Sequence, residues 1–442
     1  MARRGSMTND QRYRHCVSAV GLLIAFALNG QDRGAALEAF TEGYSRLEPD
    51  PFYLDIRDRL EAVPQDSVLM RQEAFFAEQR EILNGPFEAE GSAEESLLLD
   101  LARFETAHQL ERIGLERRWI AAGRPMPVGG MAGLPEAAAW YHLLVRRFTG
   151  ADLSPEELIA FGQREVARCH RMIDSLRAAH PHLPDQAWVT DKQKVLNAFS
   201  RVDSTVRANL TGFLGPVDVP PVVPMEWPAA GPYTPPGIYL SQEDNAYGAD
   251  VFLFNFHGGR ADAGALEWIY LHEAIPGHHL QSALRRSTGM TDLRSHVSYP
   301  GNFEGWACYV EYFGRELGLY RDPQQELGKW EWDLVRSVRV VLDAGIHGMG
   351  WTRAQALAYW EQHIPGRPDL ADREVTRVTN WAAQALSYKM GADAIVRLRD
   401  HLLEAQGPQF DAARFHRAFL DLGMVPMPVA ELHLIRTMTE GP

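Results

Sequence analysis

Apolar residues recur at helical spacing through most of this chain, and helix-start and helix-stop signals cut the pattern into many segments. The periodicity predicts helices over 34–46, 67–83, 93–113 and 135–148. Ser154-Pro155-Glu156-Glu157 combines an N-cap, a first-turn proline and a capping-box glutamate, and opens a helix running toward Ala179. Asp322-Pro323 starts another. Thr352, with Gln355 three residues on, starts one more, and Gly423 and Pro426 end the helix that leaves Asp411. Strand signals are few. Segments 238–240 and 251–256 are rich in β-branched and aromatic residues between turn signals. The pattern therefore predicts a mostly helical α+β protein with a small sheet. A proline-rich passage, 215–236, separates a helical scaffold (1–214) from a second part (215–442), with a cleft expected where the two meet.

Composition narrows the partners. The 442 residues, 45% of them hydrophobic, are enough for a substantial core. A formal charge of −14 weighs against nucleic acid, whose phosphates need clustered Lys and Arg, and against anionic membrane surfaces. Cys16, Cys169 and Cys308 are widely scattered and form no disulfide framework, which suits a reducing cytoplasm. The apolar run 17–28 is too short to span a bilayer and reads as a buried N-terminal helix. Preceded by Arg3 and Arg4, it also has signal-peptide length, so export is the alternative to a cytoplasmic location.

The candidate chemistry lies in Tyr270 to Gln281, read as Tyr-Leu-His-Glu-Ala-Ile-Pro-Gly-His-His-Leu-Gln. Zinc peptidases commonly place two histidines four apart on one helical face, with a glutamate beside the first. Here Pro276 occupies the position four after His272. On a regular helix at about 100° per residue, His279 would return to the azimuth of His272 and His278 would miss by about 120°. Pro276 and Gly277 predict a kink or π-type bulge, which brings His278 back into reach, so spacing leaves both histidines open. Downstream, Asn302 is a candidate N-cap. Glu304 and Glu311, seven apart, then share a helix face and are candidates for a ligand and its supporting carboxylate. His347, at a predicted helix end, and Arg377 are candidate substrate contacts; His257 reads as a loop residue.

Five blocks in order, HEAIPGHHLQ, EGWACYVE, DAGIHGMGWT, QALSYKMG and FHRAFLDLGMVPMPV, resemble the bacterial domain-of-unknown-function family 885. A weaker likeness extends upstream through PPVVPMEW and GPYTPPGIYL. That family is similar to gluzincin peptidases of the thimet-oligopeptidase-like and carboxypeptidase-Taq-like kinds. The resemblance implies a zincin-like helical fold in which His272, His278 and Glu304 hold zinc. It also implies Glu273 as general base, Glu311 as the group orienting a ligand histidine, and Tyr388 as hydrogen-bond donor to the developing oxyanion. By analogy with zincin-like proteins, 251–256 would be the edge strand that pairs with extended peptide.

Two departures stand out. Where the family commonly has Arg-Tyr and Pro-Gly, this chain has Arg377-Val378 and Ala382-Ala383, and the loop 231–240 is shortened, pointing to a reshaped pocket around an intact metal centre. The expected function is zinc-dependent hydrolysis of peptide bonds, particularly in short peptides. The alternatives are a metal-dependent amidase acting on a nonpeptide amide and a noncatalytic metal-binding protein.

Overall fold

Local signals set where the helices begin. In the computed structural model, which describes residues 32–47, 55–88, 90–231 and 234–439, Ser92, Ser154 and Thr352 each accept a bond from the backbone N–H three residues on. Glu95, Glu157 and Gln355 accept in return from the N–H of the cap residue. The first half contains α1 (Arg33–Ser45), α2 (Ile56–Glu61), α3 (Asp66–Leu83), α4 (Ala93–Ala121), α5 (Ala137–Thr149), α6 (Pro155–Ala179) and α7 (Lys192–Leu214). Helix α4 continues past the expected end at Ile113, because Leu115 and Trp119 prolong its buried face and Arg112 pairs with Glu116 one turn on. The expected helix at 17–28 lies outside the described residues.

Among the described residues, five short strands follow the scaffold helices or interrupt them. β1 (Trp188–Val189) pairs antiparallel with β5 (Ala261–Asp262). β2 (Val223–Glu226), β3 (Gly237–Leu240) and β4 (Val251–Phe254) form a sheet in the order β2-β4-β3, parallel on one side of β4 and antiparallel on the other. β2 was hidden inside the proline-rich passage; Pro224 is tolerated there because β2 lies at the edge of the sheet. β4 is the central strand and all four of its residues are buried. The strand expected to offer a free edge is therefore paired on both sides, and the edges of the sheet belong to β2 and β3.

The second half adds α8 (Leu266–Glu273), α9 (His278–Thr288), α10 (Pro300–Glu311), α11 (Pro323–Asp343), α12 (Arg353–His363), α13 (Pro368–Asn380), α14 (Leu386–Gln406), α15 (Ala412–Asp421) and α16 (Met427–Thr439). The protein is thus mostly helical with small sheets. One apolar core runs from Leu37 to Met438, with α6 packed along α11 and α7 against α8, so the described residues before and after 215 share an interior. Helices α10 and α14 cross with almost no space between them. A Cβ on Gly391 would lie 2.0 Å from the Gly301 carbonyl oxygen, and one on Gly305 would lie 2.6 Å from the Gly391 Cα. No helix among the described residues is long and apolar enough to cross a membrane.

Candidate metal centre

Helix α8 stops at Glu273 and α9 starts at His278, so residues 274–277 form a turn between two helices. This corrects the expectation of one kinked or π-bulged helix: Pro276 cannot donate to the helical ladder, and the chain leaves it altogether. The turn folds back closely. A Cβ on Gly277 would lie 1.9 Å from the His272 carbonyl oxygen, and Trp306 Nε1 donates to the Pro276 carbonyl at 2.7 Å.

Without a continuous helix, the azimuth argument for His279 lapses. His279 is fully buried elsewhere, its Nε2 donating to the Pro220 carbonyl at 2.8 Å. His278 instead meets His272, their ring centroids 4.8 Å apart and their planes nearly perpendicular. Its ring stacks on Phe303 at 3.8 Å.

Helix α10 supplies the acid. Tyr299, not Asn302, is its N-cap, since Pro300 in the first turn has no N–H to satisfy. Glu304 Oε2 lies 3.5 Å from His272 Nε2 and 3.4 Å from His278 Nε2. That oxygen is buried and has no properly directed hydrogen bond. Burial raises the pKa of Glu304, but the two imidazoles outweigh it and hold the carboxyl well below the usual range. An ion with bonds of about 2.0–2.1 Å would space tetrahedral ligands about 3.4 Å apart, which these separations match. His272, His278 and Glu304 thus fit a three-ligand cation site.

Groups behind the ligands fix their orientation. Glu311 Oε1 lies 2.8 Å from His272 Nδ1, so the ring presents Nε2 to the site; Gln281 Oε1, 3.2 Å from His278 Nδ1, does the same for the second ring. Arg336 donates to Glu311 Oε2 at 2.7 Å. A second cluster, His272, Cys308 and Glu311, also has closely spaced donor atoms. There, however, the Arg336 guanidinium sits 3.3 Å from His272 Nδ1, and its charge opposes a cation. Glu311→Gln should weaken the affinity of these three groups for a divalent cation by about 10–100-fold, the usual cost of losing an outer carboxylate partner. Competition with a chromophoric chelator measures it.

The ligands face a cavity of about 1180 Å³, whose walls also include Glu273, Arg377 and Tyr388. Glu273 is buried; its Oε2 accepts from the Tyr239 backbone N–H of β3 at 2.8 Å, and burial raises its pKa. The Tyr388 ring lies 6.3 Å from that of His272, nearly parallel to it. Its oxygen accepts from Arg377 Nη2 at 3.1 Å and from Gln384 Nε2 at 3.3 Å, which leaves its own proton to be donated into the cavity.

The remaining candidates sit differently. His347 is outside the cavity wall, buried with Nε2 on the Val378 carbonyl at 2.8 Å. Burial pushes its pKa down to about 4, so it stands there as a neutral imidazole. His257 is exposed and loop-like, near the Ala230 carbonyl. The cavity is lined only by residues between Pro235 and Met424 among those described, so the scaffold helices do not form its wall. Val378 is buried in a separate apolar cluster rather than in the cavity, and Ala383 adopts a left-handed φ of 65°, the conformation a glycine suits.

Sequence reasoning missed Gln281, Phe303, Arg336 and the Tyr239 amide. Gln281 was legible, three residues after His278 on the same helix. Arg336 and Tyr239 arrive through tertiary packing and leave no local signal.

Over most of its length the chain is similar in fold to two solved proteins. One, described as a "putative lipoprotein" from Colwellia psychrerythraea, aligns with a TM-score of 0.66 at 21% identity, covering 92% of this chain and 75% of that one. The other, a "putative lipoprotein of unknown function" from Shewanella oneidensis, gives 0.53 at 19% identity, covering 92% and 83%. No functionally curated protein is detectably similar in sequence. The family model of the bacterial proteins of unknown function designated DUF885 matches residues 72–434, and the chain belongs to that family.

Proposed function

We propose that this protein is a zinc-dependent hydrolase of gluzincin-like design that cleaves peptide bonds, with short peptides as its substrates. The observation that carries the reading is the buried Glu304 oxygen set 3.4–3.5 Å from two imidazole nitrogens, with the buried Glu273 beside them in the same large cavity. His272, His278 and Glu304 would hold the ion, and zinc suits two imidazoles and a carboxylate with one position open. Bound zinc would supply Lewis acidity and a water acidified toward neutral pH.

Around that centre the chain's own groups have distinct tasks. Glu273, its pKa raised by burial, takes the proton of the attacking water and passes it to the leaving nitrogen. The Tyr388 hydroxyl donates to the oxygen on which negative charge develops. The outer edge of β3, whose Gly237, Ile238, Tyr239 and Leu240 line the cavity, offers backbone groups to an extended peptide.

Metal analysis of the purified protein, followed by a screen of short peptides and nonpeptide amides, tests the proposal. One zinc per chain and peptide cleavage that is lost on chelation and regained with zinc are expected. Turnover of nonpeptide amides alone would make it an amidase; zinc without any turnover would mark a noncatalytic metal protein. Both neighbours are described as lipoproteins, which gives weight to the export alternative; N-terminal sequencing of the mature protein decides it.

A further inference from the structure

A chain with 58 acidic and 44 basic residues has nonetheless gathered arginines on one wall of its cavity. Arg339 of α11 and Arg373 of α13 meet around a buried carboxylate, Glu374, and Arg377 of α13 lines the same cavity. Arg339 Nε donates to Glu374 Oε2 at 2.6 Å, while Arg373 Nε donates to Oε1 of the same group at 2.9 Å. Arg339 is only 3% exposed, and Glu374 is its single hydrogen-bond partner among the described residues. Arg377 has none of their carboxylates within ion-pair distance. It bonds instead to Gln384 Oε1 at 2.9 Å and to the Tyr388 hydroxyl.

Arg339 is buried and Arg377 half-buried, with one carboxylate between the two, and a guanidinium withdrawn from water without a carboxylate of its own is costly unless an anion completes it. Arginine matches a carboxylate through two parallel N–H bonds, so the missing partner has the chemistry of a carboxylate. Position then limits which one. Arg377 touches Tyr388, whose ring in turn packs beside the ligand His272. A peptide advances about 3.3–3.6 Å per residue, so a carboxylate at Arg377 lies one or two residues from a carbonyl presented to Tyr388 and Glu273.

We propose that Arg377 and Arg339 form a receptor for a substrate carboxylate, confining cleavage to bonds one or two residues from a free C-terminus or from an acidic side chain. The inference rests on the hydrolase reading above. In the reaction, water adds its hydroxyl to the acyl carbon and its hydrogen to the leaving nitrogen. The products are a shortened peptide acid and a fragment with a new amino end, an amino acid or dipeptide when the recognised carboxylate is the chain end.

The test uses the zinc-loaded enzyme and three peptides of one sequence: the free acid, its C-terminal amide, and the amide bearing a glutamate at the last position. The free acid should be cleaved with kcat/KM at least about 10²-fold above the plain amide, because a site built for a charged partner rejects an analogue lacking it. Mass spectrometry of the products should place the cut one or two residues from the carboxylate. If the glutamate amide matches the free acid, the receptor takes a side-chain carboxylate; if it behaves like the plain amide, the receptor takes the chain end.

Arg377→Gln, which also removes a bond to Tyr388, and Arg339→Gln should each lower kcat/KM for the acid more than for the amide and so shrink the acid-to-amide ratio. A merely structural role would slow both substrates equally and overturn the proposal, as would equal cleavage of acid and amide in the unaltered enzyme. If no peptide is cleaved, the hydrolase reading fails separately. Calorimetric binding of the acid and amide to the zinc-loaded protein then decides the receptor, and equal affinities would refute it.

Discussion

Glu273→Gln should lower kcat by about 10²–10⁴-fold while zinc content stays at one per chain, the range expected when a positioned general base is removed. The substitution is nearly isosteric, and a glutamine oxygen can still accept the Tyr239 N–H that holds the wild-type carboxylate at 2.8 Å. Geometry is thereby kept and proton transfer removed. Glu273 is not one of the three groups whose donor atoms converge, so affinity for the ion should change little. Single-turnover kinetics together with metal analysis of the variant measure both quantities. Full activity in the metal-loaded variant would remove Glu273 from the chemistry.

Gly277→Ala should cost more than about 4 kcal/mol, the range reached only when a buried site has no way to relax, and should abolish zinc binding in whatever protein still folds. The new methyl would sit 1.9 Å from the His272 carbonyl oxygen and 2.4 Å from that of Leu271. Both atoms are backbone of α8, so no side chain can turn away. Relief requires opening the turn at 274–277, and that turn sets the spacing of His272 and His278. Thermal unfolding of the variant, with chelator competition on the soluble fraction, reads the two effects. A variant with unchanged Tm and affinity would show that the turn is looser than its packing implies.

Much of the fold was legible because capping residues act locally. Ser154, Asp322 and Thr352 each start a helix where their hydrogen-bonding chemistry says they should. β2 was not legible, since its pairing with β4 depends on contacts distant in sequence and Pro224 argues against a strand. At the site, the residue types and their order identified His272, Glu273, His278 and Glu304, but helix periodicity alone favoured His279. Periodicity presumes an unbroken helix. The departure at 382–383, read in the sequence as part of a reshaped pocket, has a backbone meaning. Ala383 takes a left-handed conformation and donates to Asp343 Oδ2 at 2.9 Å, which positions the start of α14 and hence Tyr388.

The crossing of α10 and α14 at Gly301, Gly305 and Gly391 makes the two helices a single bracket. Glu304 rides on one arm and Tyr388 on the other, so their separation is gauged by touching backbones rather than by adjustable side chains. Neighbouring α13, which carries Arg373, Glu374 and Arg377, lies outside that clamp. Its surface can change without altering the span between the Glu304 carboxylate and the Tyr388 phenol.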